Sequence, residues 1–235
     1  MKLSNHTLAL VILVMAGVAG GCNKNGSPAS TAGSPLTPSA VTAPAPTTAP
    51  TGPGAVLGPT QAVFVQSGDV WRYLDNGTDQ GTAWSQRGFN DAAWATGGAE
   101  LGYGDNDEIT VVGFGPDGNN KFITTYFRRS FTVNDIASQR VITLDMIRDD
   151  GAVVYVNGLE VFRTNMPGGP ITSRTLASAD IDNPKIVVST DIDKNVLVNG
   201  NNVIAVEVHQ ASSSSADLSF NLALRDGSLS PQPRF

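Results

Sequence analysis

The feature that most constrains the fold is an Asn-Gly pair, Asn157 and Gly158, set between two short apolar runs within residues 152–162. Asn and Gly both tolerate positive φ, so this pattern predicts a β-hairpin with a two-residue type I′ turn. Such a turn fixes the register of the two strands. The expected pairs are Val156 with Leu159 and Val154 with Val161.

The predicted hairpin is apolar on both faces. One face is expected to carry the aliphatic side chains Val154, Val156, Leu159 and Val161. The other face is expected to carry Val153, Tyr155, Glu160 and Phe162. A hairpin of this kind belongs inside a sandwich, between the core and a second covering layer.

Further segments show the period of two that is typical of β-strands. They are residues 122–133, 141–148, 203–209 and 217–225. Residues 199–202 form a second turn signal, and residues 90–94 are expected to form a single helical turn. The 40% of hydrophobic residues supplies enough apolar surface for a core. We therefore predict an all-β fold with one β-sandwich, of jelly-roll type, over residues 61–226.

The first 22 residues have the three parts of a secretory signal: a positive start at Lys2, an apolar stretch and small residues before Cys22. Cys22 is the only cysteine of the chain, so it has no intramolecular disulfide partner. We interpret it as the lipidated cysteine of a bacterial lipoprotein, which would bind the protein to a membrane. The alternative is an incidental cysteine in a signal that is cleaved elsewhere.

Residues 23–60 contain eight of the 14 prolines and one charged residue, Lys24. Without apolar periodicity such a segment has no surface to bury, so we predict a disordered linker, with a flexible tail at residues 227–235. The net charge of −6 argues against nucleic acid as a partner. The expected location is the bacterial cell envelope, and Asn23 favours the outer membrane or cell surface.

Longer motifs extend this picture. They are Phe89-Asn90-Asp91-Ala92-Ala93-Trp94, Leu101-Gly102-Tyr103-Gly104-Asp105, Thr124-Thr125-Tyr126-Phe127-Arg128-Arg129, Asp149-Asp150-Gly151, Asn165-Met166-Pro167 and Ala205-Val206-Glu207-Val208-His209-Gln210. Together they resemble the galactose-binding-like jelly-roll modules of secreted bacterial phosphoesterases, glycosidases and surface proteins. The resemblance implies a β-sandwich, and the fold hosts sugar binders, adhesion modules and spacers alike.

The sequence lacks the motifs of the common hydrolases. His209 is the only histidine after the signal segment, and there is no Gly-x-Ser-x-Gly or His-Glu-x-x-His pattern. A triad of His209 with a serine of residues 212–215 would place its nucleophile on a flexible loop. No pair of carboxylates stands out as a glycosidase pair. We expect a protein that is not an enzyme, with an unrecognised hydrolase as the minor alternative.

Glu207 and His209 are expected to be neighbours on one face of a strand, opposite Ile204, Val206 and Val208. In one interpretation they donate to and accept from sugar hydroxyls. In the other they bond to each other and to the backbone and hold the sheet together.

Two acidic segments are candidate ligand sites. Asp149 and Asp150 lie at a predicted corner, where they would bind calcium or sugar hydroxyls, or satisfy backbone amides of the turn. Asp105, Asp107 and Glu108 follow a glycine-rich loop and form the stronger calcium candidate, with a solvated acidic loop as the alternative.

The aromatic residues divide into two groups. Trp71 and Trp94 are expected in the core, whereas Trp84 and Tyr103 fall in a long glycine-rich region. If exposed there, the latter two would stack on sugar rings. If buried, they would close one end of the sandwich. We predict a surface lipoprotein whose module binds carbohydrate or another envelope component, with a protein-interaction module as the alternative.

Overall fold

A computed structural model describes most of the predicted domain. The described residues are 62–139, 141–181 and 186–227. The predicted signal peptide, the lipidation at Cys22, the linker, and the predicted tail beyond Gly227 lie outside them. None of the helices in the described part of the chain has the length and apolarity that crossing a bilayer requires.

Strands dominate the described residues. The strands are β1 (Val63–Val65), β2 (Val70–Leu74), β3 (Ala95–Gly98), β4 (Leu101–Tyr103), β5 (Thr110–Val111), β6 (Thr124–Val133), β7 (Ile142–Asp149), β8 (Gly151–Val156), β9 (Leu159–Thr164), β10 (Val188–Ile192), β11 (Gly200–His209) and β12 (Leu218–Asp226). Two short 3-10 turns accompany them, at Ala83–Ser85 and Lys194–Val196.

These strands form two sheets. Sheet A has the order β10-β7-β12-β4-β5, with β1 also paired to β12, and sheet B has the order β3-β2-β6-β11-β8-β9. The β4–β5 pair is parallel, and the other pairs of these sheets are antiparallel. From β6 to β8 and from β9 to β12, each strand lies in the opposite sheet to the one before it, as in a jelly roll. The predicted all-β sandwich is confirmed.

The core lies between the two sheets and is built by alternation. On β12 the inward side chains are Leu218, Phe220, Leu222 and Leu224, each at most 1% exposed. Across from them, sheet B contributes the inward face of β11 and the ring of Phe127, which stacks on Phe220 with centroids 4.2 Å apart. Each fully buried side chain of this size stabilises the fold by roughly 1.5–3 kcal/mol. The strands and faces predicted at 203–209 and 217–225 are therefore confirmed.

The β8–β9 hairpin corrects one part of the predicted register. Asn157 and Gly158 have φ of 54° and 89°, as a type I′ turn requires, and Val156 pairs with Leu159. The predicted pairing of Val154 with Val161 is wrong, because a β-bulge leaves Val161 without a partner and pairs Val154 with Phe162.

The bulge also changes which side chains cover the core. Val161 and Phe162 both pack partly against it, although one of them was expected on the opposite face. Leu159 was expected in the buried aliphatic strip and is instead 58% exposed. It lies at the start of β9, which is the edge strand of sheet B, so little chain is available to cover it.

The outer face of sheet B carries the predicted second layer. A cluster of buried side chains lies there, formed by Trp84, Trp94, Tyr126, Val203 and Ala205, with Tyr155 packed against it. The segment between β2 and β3 supplies the tryptophans and covers the sheet. Its residues 90–94 form a β-turn closed by the Trp94 amide on Asp91 O at 3.0 Å, and the predicted helical turn is wrong. Asn90 explains the difference, because its Oδ1 accepts from the Ala92 amide and stabilises a turn.

Candidate functional site

Three neighbouring strands of sheet B form the floor of the candidate site. Glu207 on β11 pairs with Tyr126 on β6, and Tyr155 on β8 lies one pair further along. Strand alternation directs all three side chains to the outer face, away from the core. The Tyr155 hydroxyl donates to Glu207 Oε1 at 2.7 Å. The floor therefore combines aromatic rings with a carboxylate.

Trp84 forms one wall of the site. Its ring contacts Tyr126 and Tyr155 edge to face, with centroid distances of 4.8 and 5.6 Å. These contacts leave the Trp84 side chain almost fully buried, at 2% exposure. The ring is thus held by the floor and has one face of contact with the cleft.

Arg128 of β6 fixes the covering segment that carries Trp84. Its guanidinium donates to the backbone oxygens of Trp84 and Gln86, and its Nε lies 2.9 Å from Asp91 Oδ2. The Phe89 ring lies 5.2 Å from the guanidinium carbon. A planar group with five donors is suited to collect several acceptors in this way. A single buried side chain therefore joins the sheet to the wall of the cleft.

The opposite wall is the segment before β10 that includes residues 171–175. Thr124 Oγ1 donates to Ser173 O at 2.9 Å. His209 Nδ1 lies 2.7 Å from Thr175 O. The two strand residues thus hold this segment beside the aromatic floor.

Between the two walls lies a cleft of about 360 Å³. This volume falls in the range of small-molecule sites. Exposed polar side chains surround its opening: Asp79, Thr82, Gln86 and Thr172. Polar groups of the lining that lie deeper are Ser85, Ser173 and Glu207. The cleft offers hydroxyl, amide and carboxylate groups above aromatic rings.

His209 and Glu207 form a proton-sharing pair behind this floor. Because the Thr175 carbonyl only accepts, His209 Nδ1 carries the hydrogen of that bond. Nε2 then faces Glu207 Oε2 at 3.2 Å, although not aligned as a hydrogen bond. A neutral imidazole would direct a lone pair at the carboxylate, so the contact is attractive when the pair holds one further proton. This arrangement fits the interpretation that the pair holds the sheet together, while Glu207 also lines the cleft.

The tyrosines of the floor remain neutral donors. Burial raises the pKa of Tyr155, and the negative charge of Glu207 raises it further. Burial and Glu207 raise the pKa of Tyr126 in the same way. Both hydroxyls therefore keep their protons at neutral pH.

The other predicted ligand residues lie elsewhere, where β4, β7 and β12 meet. Tyr103 is buried in the core, and its hydroxyl accepts from Gln210 Nε2 at 2.6 Å. Asp150 accepts from the amides of Ile181 and Ala211 at 2.8 and 2.7 Å. These contacts fit the interpretations in which Tyr103 closes one end of the sandwich and Asp150 satisfies a turn.

Asp149 differs from its neighbour. Its side chain is fully buried, and among the described residues neither carboxylate oxygen has a hydrogen-bond partner. Burial, followed by the nearby charge of Asp150, raises the pKa of Asp149 to about 9. An unpartnered carboxyl group in this setting takes up a proton or a cation.

An acidic group that can hold a metal ion lies on the outer face of sheet A. It consists of Glu100, Asp105 and Asp107, whose nearest ligand atoms all lie within 4.8 Å of one another. Two of the three predicted calcium ligands thus come together. Glu108 instead accepts from the Asp105 amide at 3.0 Å, which shapes the loop.

The structure therefore separates the predicted site residues into two places. Trp84, Glu207 and His209 meet on sheet B, whereas Tyr103, Asp149 and Asp150 lie near the acidic group. Sequence patterns did not reveal the polar cleft residues, namely Asp79, Gln86, Thr172 and Ser173. They lie in irregular segments that only tertiary contacts bring together. The alternation that puts Tyr126 beside Glu207 was the one available signal for the floor.

No protein-family model and no curated protein matches this sequence. Three partial likenesses to solved structures illustrate the fold. β-Glucuronidase 2 of Bacteroides uniformis is 16% identical, with a TM-score of 0.47, over 70% of this chain and 18% of that chain. A β-glycosidase from Bacteroides vulgatus is 16% identical, with a TM-score of 0.43, over 68% and 20%. The β-glucuronidase of Bifidobacterium dentium is 20% identical, with a TM-score of 0.42, over 65% and 21%. The chain thus spans about a fifth of the length of each of these enzymes.

Proposed function

We propose that this protein is a non-catalytic, galactose-binding-like module that binds carbohydrate in the cleft on sheet B. The observation that carries the proposal is a cleft of about 360 Å³ with an aromatic floor and polar groups on both walls. Sugars present both apolar ring faces and many hydroxyls, and this combination of groups complements them. Glu207 and the exposed amide of Gln86 are the groups best placed to accept from and donate to hydroxyls.

The first prediction concerns Gln86. The full chain is expected to retain at least one oligosaccharide on a glycan array, and Gln86→Ala is expected to weaken its binding about tenfold. The reason is the loss of one hydrogen bond of about 1.4 kcal/mol, measured by titration calorimetry. Gln66→Ala, an exposed glutamine away from the cleft lining, is the matched control and should leave affinity unchanged. An array without any bound glycan, or equal effects of both changes, would contradict the proposal.

One observation favours a second candidate function, a protein-interaction module. Val70, Ile109 and Val111 are 57%, 74% and 68% exposed. They lie near one another because β2 pairs with β3 and Thr110 Oγ1 donates to Gly98 O of β3 at 2.8 Å. Exposed apolar residues grouped in this way are typical of docking surfaces. Crosslinking to an envelope protein that is lost in Ile109→Ser and kept in Gln86→Ala would favour this function.

We propose further that the chain is a lipoprotein of the bacterial cell envelope, anchored through Cys22. The support is the order of a positive start, an apolar stretch and small residues before this cysteine. Two or more acyl chains are needed to hold a protein stably on a membrane.

The second prediction tests this anchor. Cells that express the wild-type chain are expected to incorporate labelled palmitate into it, and Cys22→Ala is expected to abolish the label and move the protein to the soluble fraction. Cys22 is the only cysteine, so no other thiol can take its place. A wild-type chain that stays unlabelled would refute the anchor.

We also propose that the acidic group of Glu100, Asp105 and Asp107 binds calcium as a structural cation, separate from the cleft. Carboxylate oxygens are the ligands that calcium prefers, and the three groups are close enough to share one ion. Binding only to the folded state would raise the melting temperature when calcium is added.

A further inference from the structure

The buried carboxyl group at the end of β7 lacks a partner. On this strand Ile142, Leu144 and Met146 face the core, so alternation directs Asp149 to the outer face of sheet A. Asp149 is nevertheless 0% exposed, and among the described residues neither oxygen has a hydrogen-bond partner. Buried charged groups are otherwise paired or bound to metals. The position therefore calls for a cation that the described side chains do not supply.

Cross-strand register directs Asp149 toward the acidic group. Ser219 of β12 pairs with Asp149 on one side and with Gly102 of β4 on the other. The Ser219 hydroxyl donates to Asp105 Oδ2 at 3.1 Å. Because Gly102 has no side chain, the Asp105 carboxylate can lie over the sheet beside Ser219. Ser219 thus stands between the Asp149 carboxyl group and the Asp105 carboxylate.

A second unpartnered oxygen belongs to the same acidic group. Glu100 Oε1 is buried and, within the described residues, accepts no hydrogen bond. Glu100 precedes β4, and its carboxylate lies within 4.8 Å of those of Asp105 and Asp107. One cation at this point would satisfy the open oxygens of both Glu100 and Asp149.

We infer that Asp149 is a buried ligand of the calcium ion proposed for Glu100, Asp105 and Asp107. The inference rests on that proposed calcium site and adds a residue from a strand that is far away in sequence. Calcium takes six to eight oxygen ligands in flexible geometry, so four carboxylates leave room for water or carbonyl oxygens. The ion would join the end of β7 to β4 and its following loop.

The test compares Asp149→Asn with the wild type in calcium and in chelator. We expect calcium to raise the melting temperature of the full wild-type chain and Asp149→Asn to remove most of this rise. Calorimetric affinity for calcium should fall at least tenfold. In chelator Asp149→Asn should be no less stable than the wild type, because a neutral amide replaces a buried carboxyl group of the same shape. Asp105→Asn should also lose the calcium response, and Asp117→Asn, in an exposed loop away from the group, should keep it.

The possible failures can be told apart. A wild-type chain that does not respond to calcium refutes the calcium site itself. A response lost in Asp105→Asn and kept in Asp149→Asn leaves the calcium site standing and refutes the role of Asp149. An Asp149→Asn chain that is less stable than the wild type in chelator also contradicts the inference, because Asp149 would then have a structural partner of its own.

Discussion

Replacing Trp84 with alanine is expected to lower the free energy of unfolding by about 3–5 kcal/mol. The side chain is 2% exposed and contacts the rings of Tyr126, Tyr155 and Trp94, so its removal leaves a cavity between the covering segment and sheet B. The large indole ring leaves a space that its neighbours fill only in part. Urea denaturation of the full chain measures the change. Carbohydrate binding should be lost with it, because Trp84 is a wall of the cleft.

Trp84→Phe is the matched variant. It keeps an aromatic ring in the same place and is expected to cost about 1–2 kcal/mol, with part of the binding kept. Equal stability of Trp84→Ala and the wild type would show that the outer layer contributes little to folding. That result would also remove the basis for a fixed cleft.

Replacing Arg128 with methionine is expected to lower the free energy of unfolding by about 3 kcal/mol. The side chain is 2% exposed and satisfies the backbone oxygens of Trp84 and Gln86, which would be left without their donor. The effect lies at the lower end for a broken buried pair, because Asp91 is 24% exposed and keeps Arg72 as a partner at 3.3 Å. Methionine preserves much of the apolar contact, so the change reports mainly on the donors.

The neighbouring arginine provides the control. Arg129 pairs with Asp69 at 2.8 Å, but both side chains are about one quarter exposed, and water screens the interaction. Arg129→Met is expected to cost about 1 kcal/mol or less and to leave ligand affinity unchanged. Similar losses for the two arginines would contradict the view that Arg128 holds the cleft wall in place.

Local patterns were sufficient for the strands that have one face in the core. The alternation of Leu218, Phe220, Leu222 and Leu224 predicted β12 and its inward face, and the structure confirms both. The Asn157-Gly158 turn was equally legible, because few residue pairs accept positive φ at both positions. The bulge at Val161 was not, since a bulge depends on how the strand meets its partners and leaves no fixed mark in the sequence.

The candidate sites show the same division. Alternation along β11 predicted that Glu207 and His209 lie together, and the structure confirms that they are in contact at 3.2 Å. The walls of the cleft come from residues 79–86 and 171–173, far apart in sequence and without periodicity. Glu100 and Asp149 enter the acidic region through cross-strand register, which spacing along the chain does not encode.

The sequence by itself thus determined the class of fold, the central hairpin turn and the polar face of β11. In each case the cause is local: a side-chain period of two, or a backbone conformation that few residues accept. Only the tertiary structure decided which polar groups share a cleft and which carboxylates surround one point. Those groups meet because two sheets and a covering segment pack on a common core, and packing brings together residues that have no relation along the chain.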